Sequence, residues 1–185
     1  DKLKAVKQSL VHDLLTRGID ANGQLRPPQS EAPQLYKESP LGWIPREWDI
    51  VSLESISSTV TSGSRDWAQF YADDGALFVR IGNLTREHIN FRYNSIIHVQ
   101  PPAGGDGQRT KLELGDILVS ITADLGIIGV VPQSMGEAYI NQHIALIRPN
   151  IFRVNARFIG HYLAGAIMQA YISKLNDAGA KAGLN

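Results

Sequence analysis

Hydrophobic positions at the start of the chain recur at three- and four-residue steps. Leu3, Val6, Leu10 and Leu14 form one stripe, widened by Val11 and Leu15, while Lys4, Lys7, Gln8 and His12 take other faces. The spacing predicts a helix over residues 2–17, about 24 Å long at roughly 1.5 Å per residue. Gly18 follows where a helix-ending glycine belongs. A rod with an apolar stripe must bury that stripe, either on its own domain or on a helix from elsewhere.

The pattern then changes twice. Asp20-Ala21-Asn22-Gly23 is turn chemistry, and Pro27, Pro28 and Pro33 keep the next residues extended. Residues 36–48 carry Tyr36, Trp43 and Trp48, which is too apolar for a free linker. Trp43 and Trp48 are therefore expected to pack against the domain that follows. Residues 49–150 read as mostly β, in short Val- and Ile-rich runs at 49–52, 77–81, 95–99, 116–121, 127–131, 138–140 and 144–148. Residues 101–107 read as an exposed loop, and Gly126 and Gly129 as a bulge or tight bend. A second helix is predicted over 155–174, with Asn155 as its N-cap, followed by a Gly/Ala-rich loop over 176–185. The fold class is α+β: a mostly-β domain with a long N-terminal helix and a C-terminal helix packed on it. The expected division is a helix over 1–18, a docking linker over 19–48 and the main domain over 49–185.

Composition narrows the function. The chain has 185 residues, 43% of them apolar and 19% charged, which excludes a disordered chain. The absence of cysteine removes disulfides, thiolate metal sites and cysteine nucleophiles, and fits the reducing cytoplasm. No apolar run approaches the roughly 18 residues of a membrane span. A start at Asp1 rather than Met reads as a fragment. The 18 basic and 18 acidic side chains cancel, unlike a freestanding basic nucleic-acid binder. Their distribution is uneven: residues 51–150 hold seven basic and ten acidic side chains, and residues 151–185 four and one.

Catalytic patterns are missing. His12, His88, His98, His143 and His161 do not pair at metal-site spacing. No phosphate-binding glycine loop, nucleophile elbow, Asp-x-Lys or Glu-x-Lys occurs, so the chain is expected to be no enzyme, with no metal and no cofactor. What remains is polar loops: Thr61-Ser62-Gly63-Ser64-Arg65-Asp66-Trp67, Arg80-Ile81-Gly82-Asn83-Leu84-Thr85-Arg86, Gln108-Arg109-Thr110-Lys111 and Asn141-Gln142-His143. Arg, Lys, Asn and Gln fork onto base edges, and Ser, Thr and backbone amides suit phosphates. Asn141 and Gln142 equally suit tying strand ends to backbone.

Several stretches resemble the specificity subunits of type I restriction–modification systems. Residues 3–19 resemble the family's conserved helix, and Leu41-Gly42-Trp43-Ile44-Pro45-Arg46-Glu47-Trp48 its approach to a target recognition domain. Thr61-Ser62-Gly63-Ser64, Phe78-Val79-Arg80-Ile81-Gly82-Asn83-Leu84 and Gly115-Asp116-Ile117-Leu118-Val119-Ser120 follow in the family's order. Gly126 to Val130, Asn141-Gln142-His143 and Gly183-Leu184-Asn185 continue it. The resemblance implies a non-catalytic DNA-reading subunit that recognises one half of a bipartite target and directs methylation or cleavage by partner subunits. The implied partners are double-stranded DNA, modification subunits and, through them, restriction subunits. A second conserved helix, in cis or in a dimer, would pair with Leu3, Val6, Leu10 and Leu14. One recognition domain behind one helix is about half a subunit, either its second half or a half-subunit that dimerises. Loops 61–67, 80–86 and 106–111 are expected to enter the major groove. Ser62, Ser64, Arg65, Arg80, Asn83, Arg86, Arg109 and Lys111 are the expected DNA contacts. Arg80 could instead pair with Asp116 or Asp124. The competing readings are a protein–protein adaptor and the recognition domain of a fused restriction–methyltransferase.

Overall fold

A computed structural model describes residues 2–101 and 103–177. The chain divides into two compact units, Asp1–Val51 and Ser52–Asn185. Among the described residues, no helix is long and apolar enough to cross a membrane.

The first unit begins with α1 (Lys2–Thr16). The Arg17 and Gly18 amides both donate to the Asp13 carbonyl, and Gly18 takes a φ of +61°, the left-handed value that ends a helix. Arg17 and Arg26 then lock together. Arg17 Nε donates to the Arg26 carbonyl at 2.7 Å, Arg26 Nη1 to the Arg17 carbonyl at 3.1 Å, and Arg26 Nη2 to Glu47 at 2.6 Å. A two-stranded ladder, β1 (Tyr36–Lys37) with β2 (Ile44–Pro45), closes the unit. The Trp48 ring lies over Gly18 within this unit, where a Cβ would come within 2.5 Å of it. Trp43 is 51% exposed. Along α1 only Leu15 is buried, whereas Leu3, Val6, Leu10 and Leu14 are 80, 57, 52 and 39% exposed.

In the second unit the described strands are β3 (Ser57–Ser62), β4 (Tyr71–Ala72), β5 (Ala76–Val79), β6 (Ile97–Val99), β7 (Ile117–Ser120), β8 (Ile128–Val130), β9 (Ala138–Ile140) and β10 (Ile144–Pro149). A short helix, α2 (Gly105–Thr110), lies between β6 and β7. One sheet is antiparallel in the order β3-β10-β7-β8, and the other is mixed in the order β4-β6-β5-β9. The first sheet is covered on both faces. Leu118 and Leu146 enter one cluster with Val79, Ile140 and Ile144, while Ile117, Val119, Ile128 and Ile147 enter another with Ala156 and Leu163. Double coverage is why β7 and β10 read as unbroken apolar runs rather than alternating ones. Against the second sheet Trp67, in the turn before β4, stacks on Phe78 at 5.2 Å and tilts on Tyr139 at 5.3 Å.

The helix expected over 155–174 is two, α3 (Ala156–Ala164) and α4 (Ala166–Asp177), broken at Gly165. The loop expected from residue 176 is helical through Asp177; its remainder, with Gly183-Leu184-Asn185, lies outside the described residues. Asn155 caps α3, its Oδ1 accepting the Phe158 amide at 3.0 Å. Asn155→Ala is expected to cost about 1 kcal/mol, read as a lower urea midpoint at unchanged slope. An unchanged midpoint would mean the cap is idle.

Three other expectations change. Residues 49–52 form no strand, and the 101–107 loop gives way to α2 from Gly105. Gly129 marks close packing within β8 rather than a bulge, since a Cβ there would come within 2.7 Å of Leu84 and 2.9 Å of Phe91.

Candidate functional site

Antiparallel register decides which loops share an end of the first sheet. Ser62, closing β3, lies opposite Ala145, and Ser120, closing β7, lies opposite Ile144. Residues 63–66, 121–124 and 141–143 therefore emerge together. Ser64 bridges Asn141, and the Gly63 amide donates to the Ile144 carbonyl at 3.0 Å. Arg109 of α2 reaches into the same place. Its Nη1 donates to Thr61 Oγ1 at 2.7 Å and to the Ser62 carbonyl, and its Nη2 donates to Ser64 Oγ. Three of the predicted contact residues, Ser62, Ser64 and Arg109, thus form one cluster. Arg65 follows directly, exposed, with no hydrogen bond or ion pair among the described residues. Trp67 is buried and holds the 61–67 segment to the second sheet.

The 80–86 segment is built differently. Residues Ile81–Asn83 make a 3-10 turn. Asn83 is buried, its Oδ1 accepting the Arg80 amide at 3.0 Å and its Nδ2 donating to the Arg92 carbonyl at 3.1 Å. Leu84 and Thr85 are also buried. Arg80 donates to the Ser95 carbonyl at 2.9 Å and does not pair with Asp116 or Asp124. Arg86 is a clamp between distant segments, donating to Asp124 at 2.5 Å, the Leu125 carbonyl at 2.7 Å and Gln169 at 2.9 Å. Asn83 and Arg86 thus also hold this segment in place, the Arg86 side chain remaining 49% exposed. Lys111 sits at a bridge to Tyr139 and pairs with Glu137 at 3.1 Å, where Tyr139 also donates at 2.7 Å. Burial, then the Glu137 hydrogen bond, pushes the Tyr139 hydroxyl up to about 12, and the Tyr139 and Lys111 hydrogen bonds hold Glu137 below the usual carboxylate value.

Two arrangements were not legible from motif spacing. Asp116, fully buried, takes Arg148 Nε and Nη2 at 2.8 Å each and the Glu113 amide at 2.7 Å, across 32 residues of chain from Arg148. The His143 ring sits between Thr122 Oγ1 at 2.7 Å and Gln142 Nε2 at 3.1 Å. Asn141 Oδ1 accepts the His143 amide at 3.2 Å, as expected of an amide tying a strand end. Among the described residues no group of three or more His, Asp or Glu is placed to hold a metal.

No known family's sequence profile matches the chain. Two solved structures share its fold. One comes from work on complex assembly and conformational transition of the type I R-M system, with 18% identity and a TM-score of 0.54. The other is the HsdS subunit from Thermoanaerobacter tengcongensis, with 19% identity and a TM-score of 0.52. Each match covers 91% of this chain but 37% of the solved one, so this chain spans little more than a third of their length.

Proposed function

We propose that this chain is a DNA-reading module of a type I restriction–modification specificity subunit, recognising one half of a bipartite target and directing partner subunits that methylate or cleave. The observation that carries the reading is the cluster at one end of the first sheet. There Ser62, Ser64, Arg65 and Gln142, at the end of a doubly covered sheet, meet Arg109 of α2, in a fold shared with an HsdS subunit. Arg65, unengaged, is the guanidinium free to fork onto a guanine edge. Arg109 is already held by Thr61, Ser62 and Ser64, which suits it to supply charge to a phosphate rather than to fork onto a base. Arg80, Arg86 and Lys111 are the remaining predicted cations, the last two partly offset by Asp124 and Glu137. The exposed Leu3, Val6, Leu10 and Leu14 stripe is the surface for a second helix.

Selection from a random duplex library by the subunit assembled with its modification subunits tests this. Enrichment of a split motif, one half of which changes when residues 49–175 are swapped, is the expected result. Retention without any motif would leave a protein–protein adaptor as the better account. Arg109→Ala is expected to weaken all duplexes evenly and to flatten the salt slope by about 0.9. A changed base preference at one position would make Arg109 a base reader instead. With so few uncommitted cations, the total slope of the isolated chain should stay shallower than about −6.

A further inference from the structure

The Thr122–His143–Gln142 chain carries an inference that rests on the DNA-reading proposal and refines it. An amide nitrogen donates and cannot accept. With Gln142 Nε2 at 3.1 Å, His143 Nε2 must therefore be the acceptor. The ring proton is then on Nδ1, directed to Thr122 Oγ1 at 2.7 Å. The His143 backbone is fixed as well: its amide donates to Asn141 Oδ1 and its carbonyl accepts the Ile121 amide at 3.0 Å. One Gln142 N–H is spent on the ring. The second N–H and the carbonyl oxygen have no hydrogen-bond partner among the described residues. The side chain is partly exposed, at the end of the sheet that carries Arg109, Ser62 and Ser64.

We propose that Gln142 is a base-reading residue for adenine, and that His143, braced by Thr122, is the positioning residue that sets its amide. An adjacent acceptor and donor is what the major-groove edge of adenine requires: N6–H donates to the amide oxygen and N7 accepts from the amide N–H. A freely rotating amide would present the reverse pair equally often. One whose nitrogen is tethered to an imidazole acceptor keeps a single orientation. Discrimination at that one position is expected to be about 5- to 150-fold.

The test is the same duplex selection, run with Gln142→Glu, Gln142→Ala and His143→Phe in the assembled subunit, each variant checked for wild-type melting. Gln142→Glu presents acceptors only, so the preference should move from adenine toward cytosine, whose N4 donates. His143→Phe removes the tether and should flatten preference at that position while leaving the others intact. Should Gln142→Glu retain no duplex, Gln142→Ala decides, with a flattened single position expected. A full wild-type motif left unchanged by Gln142→Ala would overturn the assignment of Gln142. One changed by Gln142→Ala but not by His143→Phe would overturn the role of His143. If the wild-type protein itself enriches no motif, it is the DNA-reading proposal that fails.

Discussion

Arg148→Met should destabilise the protein by about 3–5 kcal/mol, the usual consequence of removing one partner from a buried ion pair. Asp116 is fully buried and relies on Arg148 for two of its hydrogen bonds, leaving the Glu113 amide as its remaining donor in the variant. Arg148 also binds Glu113 and the Lys111 carbonyl, both at 2.8 Å, so the loss loosens the turn into β7 as well. The pH dependence has a definite sign. Burial raises the Asp116 carboxyl above its ordinary value, and Arg148 opposes that rise through its hydrogen bonds and charge. Without Arg148 the folded-state value rises further. A carboxyl that holds its proton more tightly folded than unfolded favours the folded state as pH falls through the raised value. The deficit of Arg148→Met should therefore be largest near neutral pH and shrink under mildly acidic conditions, measured by urea unfolding at both. Equal deficits would mean that lost packing, rather than an uncompensated carboxylate, is the cost.

Gly63→Ala is expected to cost at least the upper end of the roughly 1–3 kcal/mol typical of overpacking. A Cβ at residue 63 would lie 2.0 Å from the Asn141 carbonyl oxygen, 2.2 Å from its carbon and 2.6 Å from the Ile140 oxygen. All three are backbone atoms, so no side chain can swing aside. The segment after β3 would have to separate from residues 140–141, breaking the Ser64–Asn141 bridge and carrying away the acceptors that hold Arg109. Lower melting temperature and weaker retention of all duplexes should appear together. An unaltered melting temperature would show that the two segments part without cost.

The strands β7 to β10 were legible because each is a short apolar run between turn residues, and burial on both faces demands such runs. The edge strand β3 was not, because Ser57-Ser58-Thr59-Val60-Thr61-Ser62 has one neighbour and alternates half-buried with exposed positions. Its polar residues read as loop. The helix α2 was hidden by three glycines in Gly104-Gly105-Asp106-Gly107, which favour turns when taken locally. The polar character of the 61–67 and 80–86 segments was equally plain, yet their fates differ. Arg65 stands in solvent, whereas Asn83 is buried and bonded to the Arg92 carbonyl, and Arg86 also spans Asp124 and the Leu125 carbonyl.

Local pattern by itself determined the helix with its apolar stripe, the mostly-β body, the capping Asn155 and the lack of a recognisable catalytic motif. These depend on periodicity and on residue types within a few positions of one another. Tertiary structure alone decided which cations are free, which amide faces outward and which glycine permits two backbones to touch. Arg109 meets Ser62 across 47 residues, Arg148 meets Asp116 across 32, and Thr122 meets His143 across 21. Such partnerships follow from strand register and sheet order, which bring distant residues to one end of a sheet and leave no mark in local spacing.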